Sequence, residues 1–150
     1  MLSRLFDLAN PFRPIRTVHA HCDIPCGIYD PEQARIEAES CYNIIQKYHD
    51  SSDELFRQRC VFVNEERAEL AKRHVSILWS DRFKPDHLEQ FPNLHDTFHR
   101  AVKQCSEVKR TMDLDAAQKL LDAINEIDEW WKKTGGLEET RLHGRPGQMA

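Results

Sequence analysis

Glycine is scarce in this chain. Five occur in 150 residues, and two of them, Gly135 and Gly136, are adjacent near the C-terminus. Most of the sequence is therefore free of the residue that most readily breaks a helix, which points to a mostly helical fold. Long apolar runs are missing as well: none approaches the ~18–20 residues a spanning helix needs, so no membrane-embedded class is expected. A basic excess is also lacking. The net charge of −4 and isoelectric point near 6.1 argue against a general nucleic-acid or membrane-surface binder. There is no internal repeat and no low-complexity tract.

An ordinary secretory signal is absent too. Arg4 supplies a positive charge, but Asp7, Asn10, Pro11, Arg13, Pro14 and Arg16 interrupt any apolar core in the first twenty residues. Val18-His19-Ala20 nevertheless reads as a small-residue cleavage site, so residues 1–20 read as a leader removed on maturation, leaving a single domain over 21–150. The five cysteines, at 22, 26, 41, 60 and 105, are odd in number. Without a secretory signal they argue against a disulfide framework and for a reducing, cytoplasmic location.

What is present is helix. Asp30-Pro31-Glu32-Gln33 carries the signals of a helix start, a capping residue followed by proline and a capping-box partner. Ile36, Cys41, Ile44, Ile45 and Tyr48 form the apolar stripe that follows. Ser51-Ser52-Asp53-Glu54 opens a second, longer helix, with Leu55, Cys60, Val63, Leu70, Val75, Ile77 and Leu78 as its inner face. Pro85 and Pro92 punctuate the next connection. Leu94, Phe98, Ala101, Cys105, Val108 and Met112 then alternate spacings of four and three, the seam of a packed third helix. A fourth runs from near Asp113 through Ala117, Leu121, Ile124, Ile127 and Trp131 and stops at Lys132-Lys133-Thr134-Gly135-Gly136. Four amphipathic helices with short connections predict an all-α, antiparallel four-helix bundle, with 137–150 a loose polar tail.

The chemistry is concentrated in His21-Cys22-Asp23-Ile24-Pro25-Cys26-Gly27. Two thiols and an imidazole in one short loop form a soft donor set suited to zinc, copper or nickel. Pro25 restrains one backbone angle and Gly27 permits a reversal, so the loop can curl around one ion. A cut after Ala20 would make His21 the N-terminus and free an α-amine of pKa about 8 as another nitrogen ligand. Amine, deprotonated amide and two thiolates make a square-planar set, which favours nickel(II) or copper(II) over tetrahedral zinc.

The run from His21 to Pro31 closely resembles the N-terminal nickel hook of nickel superoxide dismutases, as does Gln33-Ala34-Arg35-Ile36-Glu37-Ala38-Glu39-Ser40. The likeness resumes at Arg67-Ala68-Glu69-Leu70-Ala71-Lys72, at His74-Val75-Ser76-Ile77-Leu78-Trp79-Ser80-Asp81 and through Phe83-Lys84-Pro85. It implies disproportionation of superoxide to oxygen and hydrogen peroxide by nickel(II)/nickel(III) cycling, with one nickel ion per subunit and a homohexamer of four-helix bundles. By the same likeness the ligands are the amine and imidazole of His21, the backbone nitrogen and sulfur of Cys22, and the sulfur of Cys26. Tyr29 would stand beside the open face of the metal. Glu37 would accept a hydrogen bond from the axial imidazole, and Arg67 would lie next to it. Tyr29, ordered water or a ligand thiol could relay protons. One position departs: the family pattern has a tyrosine where this chain has Arg82, so the outer gate is expected to differ.

Other groups read as structural. Cys41, Cys60 and Cys105 sit on or beside apolar stripes and are expected to be small buried hydrophobes. His95 and His99, four apart, are expected on a solvated face. His49, His74, His87 and His143 lack partner spacing, and Trp130-Trp131 is expected in the core or a subunit contact. The alternative functional reading is a non-enzymatic helical bundle that binds zinc or copper through Cys22 and Cys26 or cycles them as a thiol redox pair.

Overall fold

In the computed structural model, residues 29–137 are described. They form α1 (Glu32–Asp50), α2 (Glu54–Ile77), a π-helical turn (Leu78–Arg82), a short α3 (Pro85–Gln90), α4 (Leu94–Thr111) and α5 (Leu114–Lys133), and no strand occurs among the described residues. Helix α1 packs on α2, α2 on α4, α4 on α5, and α5 returns to α1. The expected four-helix bundle is thus closed by its four long helices. No helix of the described residues is long and apolar enough to cross a membrane.

The helix ends follow local chemistry. Asp53 Oδ1 accepts from the backbone N–H of Leu55 at 3.0 Å and of Phe56 at 3.4 Å, and Asp113 Oδ1 accepts from Asp115 N–H at 3.1 Å. At α1 the Asp30 carboxylate accepts from Glu32 N–H at 2.9 Å. α5 ends at Gly135, whose φ of +83° is left-handed. α3 was not anticipated. Pro85 occupies its first turn, where a missing N–H costs nothing, and the Lys84 N–H donates to His87 Nδ1 at 3.1 Å.

Every residue of the predicted α4 seam is buried, from Leu94 at 1% exposed to Met112 at 9%. The two N-terminal helices differ from expectation. Leu55 is 69% exposed and Ile36 53%, although both fall on the predicted apolar stripes. The buried positions are Ala34, Ala38, Cys41 and Ile45 on α1, and Cys60, Asn64, Ala68, Ala71 and Val75 on α2. Small side chains at this seam let the two backbones approach closely, and the larger apolar residues are left to the flanks. Asn64 is the polar member: its Nδ2 donates to the Val108 carbonyl at 3.0 Å, tying α2 to α4. Cys41, Cys60 and Cys105 are buried as expected.

Candidate metal centre

His21, Cys22 and Cys26, the expected ligands, lie outside the described residues. The described part holds the segment that leaves the hook and the helices against which it is seated. Tyr29 is buried, and its carbonyl accepts a hydrogen bond of 2.6 Å from Trp131 Nε1, 102 residues away on α5. Pro31 is fully buried. One turn into α1, Arg35 Nη2 meets Asp128 Oδ2 of α5 at 2.9 Å, and Lys132 Nζ reaches the same oxygen at 2.8 Å. The start of α1 is therefore fastened to the last turns of α5.

Glu37 and Arg67 come together from different helices. Arg67 Nη1 donates to Glu37 Oε2 at 3.2 Å and to Oε1 at 3.4 Å, while Arg67 Nη2 pairs with Glu66 Oε1 at 3.1 Å. The carboxylates, Glu37 foremost, push the guanidinium pKa further above its ordinary value. A carboxylate has about four lone-pair sites, so a guanidinium nitrogen shared between its oxygens leaves room for a further donor. Glu37 retains 15% side-chain exposure and Arg67 31%, so the pair borders open space and is not sealed in the core.

Cys41 lies one turn beyond Glu37. Burial, with Glu37 adding to it, pushes its thiol up to about 12. Cys105 is also raised to about 12, by burial first and then by its neighbour Cys41. Neither is a thiolate at neutral pH, so neither is a competing soft ligand.

Arg82 is buried at the end of the π-helical turn, 4% exposed. Its Nη2 donates to the Thr134 carbonyl at 2.8 Å and contacts Thr134 Oγ1 at 3.2 Å, capping the C-terminal end of α5 with positive charge. A π-helical turn inserts an extra residue into the helix, and here it turns an arginine inward. Trp131 was expected in the core or a subunit contact, and its bond to the Tyr29 carbonyl had no signal in the local sequence. Trp130 stacks on Phe91 with centroids 5.3 Å apart. His95 and His99 are exposed, as expected of a solvated face. His95 Nδ1 accepts from Trp79 Nε1 at 2.9 Å. His49 Nε2 lies 2.8 Å from the Met112 carbonyl. Among the described residues no group of three or more His, Cys, Asp or Glu side chains gathers to hold a metal.

A family model for nickel-containing superoxide dismutase matches residues 16–135. Relatives named superoxide dismutase [Ni] in Streptomyces coelicolor and Streptomyces seoulensis are each 49% identical over 133 residues, covering 88% of this chain and 97% of theirs. A native nickel superoxide dismutase solved at 1.30 Å is 48% identical with a TM-score of 0.74, over 76% of this chain and 97% of that one. A structure whose nickel ligation corresponds to the oxidised state gives 49% identity and a TM-score of 0.73 over the same shares. These likenesses leave the non-enzymatic carrier or thiol redox alternative without support, and this chain belongs to the nickel-containing superoxide dismutase family.

Proposed function

We propose that the chain disproportionates superoxide to oxygen and hydrogen peroxide, with nickel held by His21, Cys22 and Cys26 after removal of residues 1–20. The observation that carries this reading is the near full-length match to superoxide dismutases named for nickel. The residues present fit that ion, because two thiols and an imidazole fall within residues 21–26 and a cut after Ala20 adds a terminal amine. Bound nickel supplies a one-electron couple, so that one superoxide is oxidised to oxygen and a second is reduced and takes up two protons.

The chain's own residues do the rest. The thiolates of Cys22 and Cys26 would donate charge to a bound nickel ion. Glu37, held by Arg67, accepts the imidazole N–H of His21 and so orients the ring. Tyr29, immediately past the loop, stands at the substrate side. Attraction of an anionic substrate to a chain of net charge −4 requires local cations, and Arg67, paired with Glu37, and the exposed Lys84 are the candidates. Six copies assemble in the cytoplasm. Assembly accounts for Leu55 at 69% and Phe62 at 74% exposure on α2, which a lone bundle leaves in water.

The test is the N-terminus. Residues 21–150 starting on His21, loaded with nickel, are expected to hold one ion per chain and to accelerate superoxide decay. The same chain extended by Ala20 is expected to lose most of that activity, because its amine is one residue too far away. Equal turnover by both forms, or no nickel in either, overturns the proposal.

A further inference from the structure

The hook must be held at its exit as well as at its ligands. The described residues place an anchor there. Tyr29 follows Cys26 by three residues, a reach of at most ~10 Å, so the place of the Tyr29 backbone limits where that sulfur can stand. The Tyr29 carbonyl takes a 2.6 Å hydrogen bond from Trp131 Nε1, and both residues are buried. The indole itself is confined. A Cβ added to Gly136 would come within 2.2 Å of Trp131 Cε2 and 2.3 Å of Nε1, so only a glycine backbone can lie against that ring edge. Thr134, between Trp131 and Gly136, is fixed by Arg82 through its carbonyl at 2.8 Å. Asp128 and Arg35 join the same turns of α5 to α1 at 2.9 Å.

We propose that Trp131, pressed into place by Gly136, is a positioning residue for the metal loop: it clamps the loop's exit at the Tyr29 carbonyl and so sets where Cys26 stands. The proposal rests on the hook being the nickel site, as argued above. It separates two roles that one buried tryptophan could combine. The ring packs, and a packing role alone is satisfied by any aromatic of similar size. The N–H is directional, and only it holds the carbonyl. Trp131→Phe keeps most of the first role and deletes the second.

The experiment uses the nickel-loaded chain starting at His21, with Trp131→Phe, Gly136→Ala and, as a stability control on α4 away from the clamp, Val108→Ala. Readouts are nickel affinity by chelator competition, the electron paramagnetic resonance spectrum of the oxidised centre, thermal unfolding, and amide hydrogen exchange over 29–35. Trp131→Phe is expected to weaken nickel binding about tenfold, the low end of what loss of a group that orients metal ligands costs. It should also broaden or shift the resonance spectrum and speed exchange over 29–35. Gly136→Ala should reproduce this by displacing the indole. Val108→Ala should lower the unfolding temperature while leaving affinity and spectrum as in the parent. Parent-like affinity and spectrum in Trp131→Phe overturn the positioning role, as does a loss of nickel in Val108→Ala in proportion to its lost stability. A parent chain that holds no nickel overturns instead the functional reading beneath it, and the positioning role with it.

Discussion

The five cysteines should divide sharply by reactivity, and the division can be worked from the structure. At pH 8 an ordinary cysteine of pKa about 8.5 is about one-quarter thiolate, the form that attacks a disulfide reagent. Cys41 and Cys105 are raised to about 12. Their thiolate fraction at pH 8 is then about one in ten thousand, roughly two thousand times less than that of the free thiol. Both are fully buried, so a reagent as large as an aromatic disulfide also needs the bundle to open. Cys60 is 6% exposed in the seam between α1 and α2 and is blocked by access. Titration of the reduced, metal-free chain starting at His21 with such a reagent is therefore expected to show two prompt thiols, Cys22 and Cys26. Three more should appear only on addition of denaturant. Peptide mapping of a timed quench assigns them. If Cys41 or Cys105 labels in the native chain as fast as in the unfolded one, the reasoning from burial is wrong. A native count near five would have the same meaning.

Two further outcomes follow from the ion pairs. Arg67→Met should leave the helical circular-dichroism signal intact while altering the resonance spectrum of the nickel-loaded chain and lowering its superoxide activity, because Glu37 loses the donor at 3.2 Å that orients it. An unchanged spectrum would return Arg67 to an ordinary surface charge. On α2, Glu69 is held below the usual carboxylate range, first by its hydrogen bond from Lys109 at 2.8 Å and then by that charge. A carboxylate lowered on folding stabilises above its unfolded pKa of about 4.3 and loses that contribution as pH falls through the folded value. Urea unfolding of Lys109→Met should therefore match the parent at pH 3 and fall short of it by less than ~1 kcal/mol at pH 6, since Glu69 is half exposed. A difference that grows toward acid would contradict the sign.

The clearest sequence signals were those in which neighbouring residues answer one another. The cap signal at Ser51–Glu54, the start of α5 near Asp113, the glycine end of α5 and the whole Leu94–Met112 seam are local patterns, and the structure has them where the sequence predicts. At the α1–α2 seam the largest apolar residues do not mark the buried face. Close approach of two helices selects small residues instead, so Ala34, Ala38, Ala68 and Ala71 went inside while Ile36 and Leu55 stayed out. α3 was missed because Pro85 and Pro92 read as punctuation, although a proline can also open a helix.

The hook shows the same division. By itself the sequence proposes its donors, since His21, Cys22 and Cys26 are close enough in the chain to share one ion wherever the rest folds. Likeness alone singles out Glu37 and Arg67. Tertiary structure decided that Glu37 of α1 and Arg67 of α2 meet, that Arg82 turns inward to cap α5, and that Trp131 reaches the Tyr29 carbonyl across 102 residues. Those contacts depend on which helix lies beside which and at what height. A local pattern carries no record of that, because it repeats along one helix and is silent about the partner across the seam.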